Sequence, residues 1–382
     1  MENIEQPFYQ LPEALVEEML LKSQKIGDFL LQSLTEVSKK KEIYRNELFN
    51  TGLLKRDADL PHISPPTTCG IDGSYVVERL MATDLVAVAA VAIEGLTPPS
   101  EKREWGKPYH KVFISSVSHN PDTTVVVRGI MWEMELILAA EAPHDIVFLD
   151  GSITNPFLNL NTAISKFEDF RNNEVGKTLA ENFEKFLDSY LKIVCSNRTD
   201  KLWVGLPKYT SKREIGKKFN WPTNFDDRAM LTSLLKAGEY ITPIKYEQPN
   251  EKWHIGMEGL TTYYKSEFDK KLEQIVNSIN NLHVCYYKPH PYTPALRIEV
   301  PQSICTNKYQ LATLLNAINF QCGTPGILEP YPLFMSDRMV KNLSKAIPAF
   351  RQTATRQIAE KYEDDLSEIF FNMNSYRTEN GK

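Results

Sequence analysis

Two aspartates 78 residues apart carry the same short signature, Gly70-Ile71-Asp72-Gly73-Ser74-Tyr75 and Leu149-Asp150-Gly151-Ser152. Each follows an apolar run that reads as a buried strand ending on the Asp, with a Gly-Ser turn straight after it. Carboxylates at the ends of two core strands can meet. Side by side at the rim of a core they cost several kcal/mol unless something positive lies between them, and a divalent cation is the usual answer. Two further acids stand where helices could bring them in: Glu133 in the run Arg128 to Ala142, and Asp337 in a late helix. Such a set suits phosphodiester hydrolysis, in which an attacking hydroxide and a departing alkoxide are stabilised together by two divalent ions about 4 Å apart. Hard oxygen ligands favour Mn²⁺ or Mg²⁺ over Zn²⁺, and Asp72 is the candidate to bridge the two ions. Taken singly, each residue has an ordinary reading. Asp-Gly-Ser is a common turn, Glu133 suits a solvated helix face or a partner for Arg128, and Asp337 suits a helix first turn. The joint pattern is what favours a metal centre.

Composition narrows the setting. A chain of 382 residues, 42% hydrophobic and 24% charged, fits an ordinary globular protein with one large domain bearing insertions, or with two domains. It has no run of 18 apolar residues and no signal-like core near Met1, so no membrane association and a cytoplasmic location are expected. Five cysteines without a CxxC pair read as reduced thiols. The histidines lack paired metal spacing; His110, His119 and His290 read as loop residues. The net charge of −5 leaves room for a local basic patch, and the densest is Lys208 to Lys218, where Lys208, Lys212 and Arg213 stand among five cations. That segment suits phosphates, or equally a solvated loop.

The elements that must position these residues follow from periodicity. Residues 11–48 carry an apolar stripe (Leu15, Met19, Ile26, Leu30, Leu34, Val37) that predicts a long helix or helical hairpin able to meet a second subunit, and 52–66 reads as a linker. Strands are predicted at 68–71, 85–93 and 111–117, an antiparallel meander, then a helix over 128–142, whose apolar surround is interrupted by Glu133 and Glu135. A strand at 146–149, helices over 155–195, a strand at 202–206, a strand pair at 284–287 and 295–300, a helix at 307–320, and a helix from Leu333 leading into a helical tail complete the order. The pattern through 226–283 is weak. The divisions expected are 1–66 as helical extension and linker, 67–345 as the main domain with insertions at 155–195 and 226–283, and 346–382 as tail.

The acids fall on this order as they do in an RNase-H-like α/β core, a mixed sheet flanked by helices, where the first and fourth strands are neighbours. The chain also resembles the NurA nucleases, the partners of HerA-type hexameric DNA translocases. The matching pieces are GIDGSY, Glu133 on its helix 17 residues before Asp150, FLDGS, WVGLPK (203–208), RIEVP (297–301) and EPYPLFMSDR (329–338). The resemblance implies Mn²⁺ ligands at Asp72, Glu133 and Asp150, with Asp337 where the family has a His or Asp. It assigns Lys208 to a substrate phosphate and leaves Tyr331 available for substrate, as it does Ser74 of the first motif. Glu329 replaces the first tyrosine of two Tyr-Pro steps, which removes that tyrosine's role here. Further implications are 5′ to 3′ digestion of DNA, cutting of single strands, a homodimer, and docking on a HerA-like ATPase in end processing or anti-phage defence. Two other readings stay open: a noncatalytic subunit of such a translocase that keeps the acids as relics, and an RNase-H-like enzyme acting on RNA or hybrids.

Overall fold

The computed structural model describes residues 11–377 apart from 197, 250–251, 258–259 and 261–262, so the outermost parts of both predicted terminal segments lie outside the described residues. The chain opens with α1 (Glu13–Asn50), a short strand β1 (Leu54–Arg56) and a 3₁₀ turn, followed by the meander β2 (Thr68–Leu80), β3 (Asp84–Glu94) and β4 (Tyr109–Val117). Helix α2 (Thr123–Glu141) leads to β5 (Ile146–Asp150), and α3 (Asn155–Ser165) and α4 (Glu174–Val194) to β6 (Leu202–Leu206). Then come α5 (Glu214–Lys218), α6 (Asp227–Leu234), β7 (Glu239–Lys245), α7 (Glu267–Ile279), β8 (His283–Lys288) and β9 (Leu296–Val300). Helices α8 (Gln302–Thr306), α9 (Lys308–Gln321), α10 (Tyr331–Val340), α11 (Leu343–Ala359) and α12 (Leu366–Asn372) and a last strand β10 (Ser375–Arg377) close the described chain.

Among the described residues the strands form one mixed sheet in the order β1-β7-β8-β9-β6-β5-β2-β3-β4, with β10 added on β2. The predicted meander is present: β2 pairs antiparallel with β3, and β3 with β4. Strand β5 runs parallel to β2, and β6 parallel to β5, which gives the RNase-H-like arrangement. All five residues of β6 and the first four of β5 are buried, as continuous apolar runs in a sheet covered on both faces should be.

One face of β2, β3 and β5 is covered by α2, α3, α4 and α7. Phe183, Phe186, Leu187 and Tyr190 of α4 are at most 1% exposed there, and each such side chain contributes about 1.5–3 kcal/mol by burial. The Asn173 carboxamide fixes where α4 starts by accepting from the Gly176 N–H (3.0 Å). The other face packs on α9 and α10 through Leu314, Leu315, Ile318 and Leu333. A third cluster joins Tyr44 and Leu48 of α1 to Trp221, α6 and β8.

Three expectations change. The segment 52–66 is not only a linker, because β1 pairs with β7 and extends the sheet. The weakly patterned 226–283 supplies β7 as well as helices. The tail folds back onto the core: β10 pairs with the far end of β2, and the Arg351 guanidinium donates to the Glu78 carboxylate. Among the described residues no helix is long and apolar enough to cross a membrane, and all five cysteines are free thiols.

Candidate metal centre

The register of two parallel strands creates the site. Ile71 lies opposite Leu149, so Asp72 and Asp150 follow as the next pair along β2 and β5. Here the two aspartates part ways. Asp150 ends its strand, and Gly151, at φ +105°, turns the chain through a conformation that L side chains rarely adopt. Asp72 does not end a strand, since β2 continues for eight further residues paired with β3 up to Arg79. Gly73 is therefore not a turn residue. Its lack of a side chain admits helix α2: a Cβ there would lie 2.5 Å from Glu135 Oε1 and 2.8 Å from Met131 Cγ. Gly70 does the same on the opposite face, where a Cβ would meet the main chain of Pro332 and Leu333 in α10 at 2.5 Å. Asp72 and Ser74 share the Gly70 face by strand alternation, so Asp72 points toward α10.

Helix α10 brings in the third acid. Oxygen atoms of Asp72, Asp150 and Asp337 all lie within 4.8 Å of one another. Burial, then the charges of Asp150 and Asp337, push the Asp72 carboxyl up to about 8, against which Lys208 and the Gly73 N–H pull. Asp150 is raised too, mainly by burial, with Lys208 opposing. Asp337 is pushed up by burial, but Lys341 (2.7 Å) and Lys208 hold it below its ordinary value. Lys208 occupies the middle of this set. Its ammonium is 2.9 Å from Asp150, 3.2 Å from Glu329 and 3.3 Å from Asp337. Burial pulls its pKa down, yet the surrounding carboxylates outweigh that and hold it above the lysine norm.

The remaining predicted residues are placed as follows. Glu133 is not among the gathered acids: it is fully buried on α2 with Asn182 of α4 near it, and burial pushes its carboxyl well above the carboxylate range. The α2 acid that senses the centre is Glu135. It too is raised, first by burial and then by the charges of Asp72 and Asp150. Two residues along a helix turn a side chain by more than half a revolution, so Glu133 and Glu135 face different neighbours. Arg128 serves neither acid; it donates to the Tyr75 hydroxyl (2.8 Å).

In the basic stretch, Arg213 turns inward and donates to the Trp221 and Pro222 carbonyls (2.6 and 3.1 Å), so it does not face the centre. Lys212 lies over the Tyr246 ring, 5.4 Å from its centroid. Tyr331 opens α10 and is half-buried, with the same helix carrying Asp337. One feature was not expected. Glu329, noted only as a departure from a tyrosine, joins the Lys208 cluster. Arg297 and Glu299 form a buried relay: Arg297 grips both Glu214 oxygens (2.9 and 2.7 Å) and donates to Glu299 (3.2 Å), while Glu299 accepts from Ser152 Oγ (2.6 Å) and the Ile153 N–H (3.1 Å). This relay ties the basic loop to the turn that follows Asp150.

A family model for the NurA domain matches residues 66–342. The chain belongs to the NurA domain family. Among solved structures it is similar to the NurA nuclease from Sulfolobus solfataricus (13% identity, 89% of this chain and 98% of that one, TM-score 0.55). It is also similar to a NurA crystallised with manganese (14%, 91% and 100%, TM-score 0.56) and to a further NurA structure (15%, 91% and 99%, TM-score 0.52). At these identities the likeness is one of fold. No curated protein matches the chain.

The donor set fits a hard divalent cation, since all three converging groups are carboxylates at spacings one ion can span. Lys208 marks the same place as one where positive charge is stabilised.

Proposed function

We propose that this protein is a nuclease that hydrolyses DNA phosphodiesters with Mn²⁺ or Mg²⁺ held by Asp72, Asp150 and Asp337, with Glu135 beside them. The observation that carries this reading is the convergence of three carboxylate oxygens from β2, β5 and α10 within 4.8 Å in a NurA domain. Two bound ions would supply Lewis-acid polarisation of the phosphoryl oxygens and an activated water. Asp72, flanked by Asp150 and Asp337, is the group suited to bridge them. Lys208 neutralises the acids at rest, and its ammonium would be at hand for a substrate phosphate. Ser74, on the same face of β2 as Asp72, Tyr331, the first residue of α10, and Lys212 are our candidate substrate contacts. Glu133 and Arg213 are left out of this set because of where their side chains go.

The wider reading is of a cytoplasmic enzyme that digests DNA 5′ to 3′ and cuts single strands as a homodimer docked on a HerA-like hexameric ATPase, in end processing or defence against phage. Support for a partner surface comes from α1, whose Leu20, Leu21, Phe29, Leu30 and Leu31 are each more than half exposed, a large apolar stripe for an isolated monomer. The test is cleavage of labelled single- and double-stranded DNA in Mn²⁺, Mg²⁺ and EDTA, with and without the ATPase. Asp72→Asn and Asp150→Asn should each abolish cleavage in chains that still fold. Survival of cleavage in both would refute the site.

A further inference from the structure

A cavity of ≈ 550 Å³ opens between the turn after Asp150, the loop 207–212 and residues Tyr246, Pro249 and 252–254. Its volume is that of a small-molecule site. Ser152 lines it two residues beyond Asp150, and Pro207 lines it next to Lys208, so the cavity shares two chain segments with the acid centre. The lining sets aromatic and cationic side chains among small polar ones. Trp253 is fixed in place: its indole N–H donates to Gln248 Oε1 (2.9 Å), and its ring meets Phe157 edge-on at 6.1 Å. Tyr246 is buried, whereas Tyr209 is 93% exposed. Lys212 and Lys252 add positive charge. Among the described residues Glu299 is the single acid of the lining, and its carboxylate is already engaged by Ser152, Ile153 and Arg297.

We infer that this cavity is a subsite for one unpaired nucleobase, stacked between Trp253 and Tyr209 while Lys212 holds the adjoining phosphate. The inference rests on the nuclease reading for the location of the scissile phosphate. A flat, uncharged ring bearing polar edges matches the walls, and the flanking lysines match the phosphates that such a ring brings with it. A base in a duplex stack cannot enter, so the subsite selects single-stranded or frayed DNA at the step nearest the centre.

The test uses the full chain with Ca²⁺ in place of Mn²⁺ and a set of single-stranded oligonucleotides, each with one abasic position, measured by fluorescence anisotropy. In the wild type one abasic position should weaken binding about tenfold, the size of a lost base–aromatic stack. In Tyr209→Ala, where an exposed side chain is removed and folding is not at stake, and in Trp253→Leu, that sensitivity should shrink toward parity. No sensitive position in the wild type, or full sensitivity in both variants, would overturn the subsite. Cleavage of the intact oligonucleotides in Mn²⁺ is followed in parallel. Base-sensitive binding without cleavage upholds the subsite and sinks the nuclease reading. Cleavage with no base-sensitive position does the reverse.

Discussion

Asp72→Asn should make the metal-free protein more stable while destroying its activity. The folded carboxyl is pushed from 3.8 up to about 8, mainly by burial and then by Asp150 and Asp337. A raised acid binds its proton more tightly folded than unfolded, so stability is highest below pH 3.8 and is lost as pH rises through the window up to about 8. At pH 7 about three pH units of that window have been crossed. At ~1.36 kcal/mol each this gives roughly 4 kcal/mol, reduced to about 2 kcal/mol by solvent access and relaxation around the cluster. Asparagine removes the titration and can still accept from the Gly73 N–H, which now lies 2.9 Å from Asp72 Oδ1. Urea denaturation in EDTA from pH 4 to pH 8 should therefore show a steeper loss in the wild type and a variant about 2 kcal/mol more stable at pH 7. Added Mn²⁺ should reverse the order, since a ligand at a hundred times its dissociation constant contributes about 2.7 kcal/mol to a protein that binds it. A variant less stable than the wild type in EDTA, or parallel pH slopes, would refute the reasoning.

The other predictions concern neighbours of the centre. Glu135→Gln should weaken Mn²⁺ binding, read by calorimetry, by about tenfold or more, the scale seen for groups that orient or support ligands, whereas Glu133→Gln should leave it unchanged. Arg297→Met strands Glu214 and Glu299 in the core and should cost about 3–5 kcal/mol in urea unfolding. Replacing Leu20 and Leu31 together by Glu should leave the urea midpoint within about 0.5 kcal/mol of the wild type, both being exposed, but shift sedimentation toward a smaller species if α1 joins two copies.

Much of this was legible in the chain, and the exceptions have physical causes. The buried runs at 146–150 and 202–206 announce central strands because only a sheet covered on both faces needs unbroken apolar sequence. Asp72 and Asp150 were legible as a pair because parallel neighbours in register carry matching motifs to matching heights. Gly73 misled because a glycine that makes room for a helix looks, in sequence, like one that makes a turn. Glu133 and Glu135 sit in the same apolar run, and nothing local says which faces α4 and which faces β2. Glu329 was invisible as a cluster member since its partner, Lys208, lies 121 residues away. Arg213 was counted as free charge because a sequence does not disclose which main-chain carbonyls lack partners.

Gly70 and Gly73 bracket Asp72, and their consequence reaches beyond packing. Most helices rest on a sheet through a cushion of side chains that can tilt and repack as temperature or substrate demands. On β2 that cushion is thinned: Met131 and Glu135 of α2 reach the strand's main chain at Gly73, and at Gly70 the main chain of α10 meets it directly. The approach of Asp337 to Asp72 is thus limited by main-chain contact between α10 and β2 at Gly70. A side chain at position 70 would push α10, and Asp337 with it, away from Asp72.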